Sequence, residues 1–108
     1  MIEITVKKGK YVDIEVKGHA GANEIGKDVV CAAVSTLCLT TVRAMNQIQA
    51  SGFEGTLGKG YAHIRCKRVK ANKAYIHTIL SGFVMLSEMY PQYITLDKQN
   101  IDDVNGKA

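Results

Sequence analysis

Apolar and polar residues alternate twice near the start of the chain. Over residues 2–7, Ile2, Ile4 and Val6 fall on one face, with Glu3, Thr5 and Lys7 on the other. Over residues 11–17, Val12, Ile14 and Val16 alternate against Tyr11, Asp13, Glu15 and Lys17. A period of two predicts two half-buried strands. Their apolar faces coincide if Val6 pairs with Val12 and Ile4 with Ile14. That register predicts a three-residue Lys8-Gly9-Lys10 loop with a left-handed Gly. A slip by one residue would bring Asp13 beside Ile4 in the core.

The period then changes to that of a helix. Residues 28–50 carry Val30, Val34, Leu37, Thr41, Met45 and Ile48 at helical spacing, which predicts one buried stripe. Asp28 is placed to cap this helix, and Ser51-Gly52 to stop it. A second hairpin follows. Phe53 and Leu57 share a face, as do Ala62, Ile64 and Cys66. These faces merge if Leu57 pairs with Ala62 across a two-residue Lys59-Gly60 turn. Residues 72–90 repeat the helical pattern with Ile76, Ile79, Leu80, Phe83, Leu86 and Tyr90, interrupted by Ser87 and widened by Met89. Asn72 is the expected cap and Pro91 the terminator. Gly82 sits mid-helix, where close packing would explain it, and His77 lies on the surface beside the stripe. Residues 93–97 read as a last strand, and the polar residues 99–108 are expected to fray.

The order ββαββαβ predicts an α+β domain over residues 1–98. Its two helices would lie on one face of a mainly antiparallel sheet. A length of 108 residues with 46% apolar content suits one core. No uninterrupted apolar run reaches the ~18 residues of a membrane span, so no membrane partner is expected. Met1 leads straight into an alternating strand, which predicts a chain without a secretory signal. Three cysteines, an odd number, argue against a disulfide framework and for a reducing, cytoplasmic setting. His63 and Cys66 are three apart on a strand and point to opposite faces. The expectation is therefore no metal and no cofactor. The net charge is +4, with basic residues at Arg65, Lys67, Arg68, Lys70 and Lys73. Read alone, that stretch is a solvated strand end and helix start, and direct nucleic-acid binding is not expected.

The chemistry concentrates in one strand–loop–helix unit. His19 follows the second strand, and Cys31 lies twelve residues on, at the start of the first helix. A helix start offers unpaired N–H groups and a positive dipole end, which favour a thiolate and an oxyanion. A nearby imidazole can activate the thiol and later return the proton. Asp28, Cys31 and Ser35 are spaced by three and four, which puts them on one flank. An Asp28 charge beside Cys31 would oppose thiolate formation. Between His19 and the helix lies a glycine-rich segment, Gly21, Ala22, Asn23, Glu24, Ile25 and Gly26, expected to act as a substrate loop. The residues alone leave two readings open: a cysteine nucleophile, or a helix start with an inert buried thiol.

The run G-H-A-G-x-x-x-x-G-K-D-V-V-C-A-A-V-S, residues 18–35, resembles the signature of the ribosomal-processing cysteine protease family, Prp. His19, Asp28, Cys31 and Ser35 fall on its matching positions. The resemblance implies a small α+β cysteine endopeptidase that forms a homodimer. It also implies the substrate, the N-terminal extension of a large-subunit ribosomal protein, cut just after a pair of aromatic residues. In that reading Cys31 is the nucleophile, His19 the base and then the acid, and Asp28 and Ser35 supporting residues. Two other classes remain. A non-enzymatic ribosome-associated module would bind RNA through residues 65–73, although no aromatic-rich RNA motif is present. A thiol redox protein would need a resolving cysteine, and Cys38 is two helical turns from Cys31.

Overall fold

The computed structural model describes residues 1–18 and 27–97. Strands β1 (Ile2–Lys8) and β2 (Tyr11–Lys17) form a hairpin, followed by helix α1 (Lys27–Gln47). Strands β3 (Glu54–Gly58) and β4 (Tyr61–Lys67) form a second hairpin. A 3₁₀ turn (Lys70–Asn72), helix α2 (Lys73–Met89) and strand β5 (Ile94–Leu96) complete the fold. The sheet order is β3-β4-β2-β1-β5, antiparallel except for β5 beside β1. This is the expected α+β architecture. The apolar faces of β1, β2 and β4 are buried against the two helices, with Val6 and Phe83 fully enclosed.

The second hairpin has the expected register, with Leu57 opposite Ala62. Gly60 takes the left-handed angle the tight turn needs (φ 68°). The first hairpin differs. Val6 pairs with Ile14 and Ile4 with Val16, a shift of two residues from the expected register. A shift of two leaves every side chain on its own face, so the hydrophobic pattern cannot distinguish the two registers. The turn decides: the Gly9 N–H bonds to the Tyr11 carbonyl at 2.9 Å. Gly9 is not among the glycines with positive φ, so the expected left-handed Gly is corrected.

Helix α1 buries Val30, Val34, Cys38, Thr41 and Met45, close to the expected stripe. Leu37 is half-buried against Gly82, where an added Cβ would lie 2.8 Å from its Cδ2. Close packing of α1 on α2 is therefore the role of that glycine. Ile48 is 48% exposed, because the helix ends before it. The ending is not at Ser51-Gly52. The Ala50 N–H donates to the Met45 carbonyl and the Gln49 N–H to the Asn46 carbonyl. This is a Schellman closure, with Gln49 (φ 52°) in the left-handed place usually held by glycine. Gly52 (φ 66°) serves the next turn, where a Cβ would meet Lys67 Cγ at 2.7 Å.

In α2, Ser87 is buried and donates from Oγ to the Val84 carbonyl at 2.8 Å, so its polarity is satisfied inside the stripe. Met89 is exposed rather than an extension of that stripe. His77 is exposed as expected. Asn72 does not cap α2 through its side chain. It is 1% exposed, and its Nδ2 donates to the carbonyls of Ser51 (3.0 Å) and Lys67 (2.9 Å). It ties the entry to α2 to the exits of α1 and β4.

By length and composition, residues 29–47 of α1 are apolar enough to cross a membrane, with mean hydropathy 1.4. That corrects the sequence expectation, which counted only uninterrupted apolar runs. Five α1 residues lie in the domain core.

Candidate active site

The sheet has two ends. At one, β1 begins, β2 ends in Gly18, and the β3–β4 hairpin turns at Gly60. The Gly18 N–H bonds to the Gly60 carbonyl at 2.9 Å, which ties the two hairpins together. Gly18 has φ 100°, and a Cβ there would lie 2.4 Å from the Met1 backbone oxygen. Only glycine fits both the angle and the approach.

A cleft of about 210 Å³ opens at this end. One wall is a flank of α1: Cys31, Ser35 and Leu39, spaced by four, with Val34 and Cys38 behind. The other wall comes from the β3–β4 hairpin, with Leu57, Tyr61 and Ala62, and from the sheet with Ile2, Val16 and Gly18. The lining is mostly apolar, with one half-buried thiol at Cys31 and an exposed hydroxyl at Ser35. Leu57 was expected in the core. It is 41% exposed because β3 is an edge strand, and it overhangs the cleft instead.

The three cysteines are thiols, not disulfides. Cys38 is 4% exposed, and burial pushes its thiol up to about 11. Cys66 is buried in the core; burial first, and then the Asp13 charge, push its thiol up. Outside the cleft, the Lys17 ammonium, 3.2 Å away, and the Tyr61 hydroxyl hold the Glu15 carboxyl below its ordinary value. His63 faces away from Cys66 and meets Asp13 Oδ1 at 2.9 Å on the open sheet face. Arg65 lies 3.4 Å from the same carboxylate and 4.1 Å over the Tyr11 ring.

Of the residues expected at the site, Cys31 and Ser35 meet at the cleft. Helix α1 begins at Lys27, so Asp28 stands inside its first turn rather than capping it. The Asp28 side chain, His19 and the loop residues Gly21, Ala22, Asn23, Glu24, Ile25 and Gly26 lie outside the described residues. Cys31 is the fifth residue of α1, beyond the first-turn N–H groups that a helix leaves unpaired. Sequence reasoning missed Leu39, which the spacing from Cys31 and Ser35 would have revealed. It also missed Leu57 and Tyr61, which only the sheet order brings across.

The family profile described as "Cysteine protease Prp" matches residues 1–95. The chain belongs to the Prp cysteine protease family. The ribosomal processing cysteine protease Prp of Staphylococcus aureus is 27% identical over 101 residues, which cover 89% of this chain and 95% of that one. The crystal structure of SMU.848 from Streptococcus mutans is 28% identical, with a TM-score of 0.71 over 90% of this chain and 92% of that chain. The S. aureus Prp protease has been solved with a covalently linked product peptide. It is 25% identical, with a TM-score of 0.72 over 90% of this chain and 98% of that one. Membership makes this chain a cysteine protease, and the non-enzymatic module falls with it.

Proposed function

We propose that this Prp protease removes the N-terminal extension of a large-subunit ribosomal protein, cutting after aromatic residues. Cys31 is the nucleophile, and His19 is its base and then the acid. The observation that carries the reading is that Cys31 and Gly18 line one cleft. Gly18 is the residue before His19, and it is held to Gly60 by a hydrogen bond and by its own backbone angle. The covalently linked product peptide of the S. aureus relative supports a cysteine nucleophile.

In this mechanism His19 takes the Cys31 proton, and the thiolate sulfur attacks the scissile carbonyl carbon. The oxyanion is received by unpaired N–H groups of the first turn of α1. The His19 imidazolium gives its proton to the departing amine, leaving a thioester on Cys31. Water, deprotonated by His19, then releases the acid. Asp28 and Ser35 support the site, and residues 21–26 are the substrate loop. The apolar lining from Leu39 and Leu57 suits aromatic side chains. The enzyme acts in the cytoplasm as a homodimer. The face of α1 outside the cleft supports the dimer: Val29 is 59% exposed there, and the only charge from residue 29 to 47 is Arg43.

Single-turnover cleavage of an extension peptide tests the assignment. Cys31→Ala removes cleavage and retains peptide. His19→Ala loses ~10²–10⁴-fold, with a residual rate that rises with pH. Cleavage by Cys31→Ala, or parental rates in His19→Ala at every pH, refutes the dyad.

A further inference from the structure

The end of the sheet away from the cleft has a different character. The β1–β2 turn and the exit of β4 meet there: the Arg68 N–H bonds to the Lys10 carbonyl at 3.0 Å, and Tyr11 pairs with Lys67. Residues 7–10 bring three basic side chains and residues 67–73 bring four. Together they are half of the chain's 14 lysines and arginines, and neither segment contains an acid. Neither the 3₁₀ turn nor α2, which start here, has an acidic residue in its first turn. Lys10, Arg68, Lys70 and Lys73 are all exposed. They form none of the ion pairs found among the described residues. By contrast, Lys17, at the cleft end, is paired with Glu15, and Arg65, one row inward, lies against Asp13. The two basic segments are some sixty residues apart in sequence, and only the pairing of β2 with β4 unites them.

We infer that this basic pole binds the phosphate backbone of RNA and so docks the protease while the cleft works on a peptide. A cluster of exposed cations, with Lys10, Arg68, Lys70 and Lys73 outside the ion pairs found among the described residues, is the electrostatic footprint of a polyanion site. A lipid surface fits less well. Membrane-binding faces add several apolar side chains, and among residues 67–73 only Val69 is a large exposed hydrophobic. The choice of RNA over another polyanion rests on the ribosomal-protein substrate proposed above. The strands are seven residues long, which separates pole from cleft by about 20 Å. Docking therefore leaves the cleft open.

The test is fluorescence anisotropy of a labelled single-stranded RNA titrated with the whole protein across a salt series. Four phosphate contacts predict a slope of about −3 for log affinity against log salt. The double variant Lys10→Gln/Arg68→Gln should bind at least tenfold more weakly at low salt, with a slope shallower by about 1.4. Lys17→Gln/Lys59→Gln removes the same charge at the other end and should leave both quantities unchanged. The melting temperature of the pole variant should match the parent, as should its cleavage of a short peptide. Equal weakening by the two variants reduces the effect to net charge and overturns the inference. So does a parent that ignores RNA, or one that binds phosphatidylserine vesicles in preference to it. A parent that binds RNA but cleaves no extension peptide counts against the proposed substrate, not against the pole.

Discussion

In the native protein, Cys31 should react with iodoacetamide at least a hundredfold faster than Cys38 or Cys66. The thiolate is the reacting form. Cys38 has its thiol pushed up to about 11 by burial. At about pH 8 roughly one Cys38 in a thousand is then ionised, against about a quarter of ordinary thiols near 8.5. Ionisation alone therefore slows Cys38 by about 200-fold relative to an ordinary thiol. Access adds to this, since Cys38 and Cys66 are 4% and 2% exposed while Cys31 lines an open cleft. The assay is a brief iodoacetamide pulse, digestion, and mass mapping of the three peptides against time. In denaturant the three should label at similar rates, which separates structure from local sequence. Native labelling of Cys38 or Cys66 within tenfold of Cys31 would refute both the burial argument and the placement of Cys31 on the cleft.

Three further outcomes follow from the packing. Asn72→Ala removes the Nδ2 donor from the Ser51 and Lys67 carbonyls, although the Ser51 carbonyl keeps the Lys67 N–H; it should cost about 1–3 kcal/mol in urea unfolding, and a loss under 0.5 would deny the tie. Gly18→Ala puts a Cβ 2.4 Å from the Met1 oxygen at a positive φ. It should lower stability by at least about 2 kcal/mol and slow peptide cleavage, and a stable variant with parental cleavage would show that the cleft edge does not need glycine. Burial raises the Cys38 thiol from 9.0 to about 11 in the folded state, so the unfolded chain ionises first. Stability from this group is full below about pH 9 and falls by an estimated 2–3 kcal/mol as pH rises through about 11. Chemical unfolding at pH 8 and 11 should show that fall in the parent and a smaller one in Cys38→Ala.

The element order, the inward faces of β1, β2 and β4 and the second hairpin's register were legible in the residues, because burial on one side of a strand or helix imposes its period on the sequence. The family was likewise legible in the G-H-A and D-V-V-C-A-A-V-S runs. Period alone was silent where two answers keep the same face. The first hairpin moved by two residues for that reason. Local preference also yielded to packing at two points. The buried Asn72 side chain left the helix cap to donate to the Ser51 and Lys67 carbonyls, and Gln49 took a left-handed angle that glycine usually holds. What sequence could not contain was adjacency across the sheet. Leu57 and Tyr61 join Cys31 in lining the cleft, and the turn at Lys10 meets Arg68, only because β4 pairs with β2. Those pairings set residues tens of positions apart side by side, and a one-dimensional pattern carries no record of them.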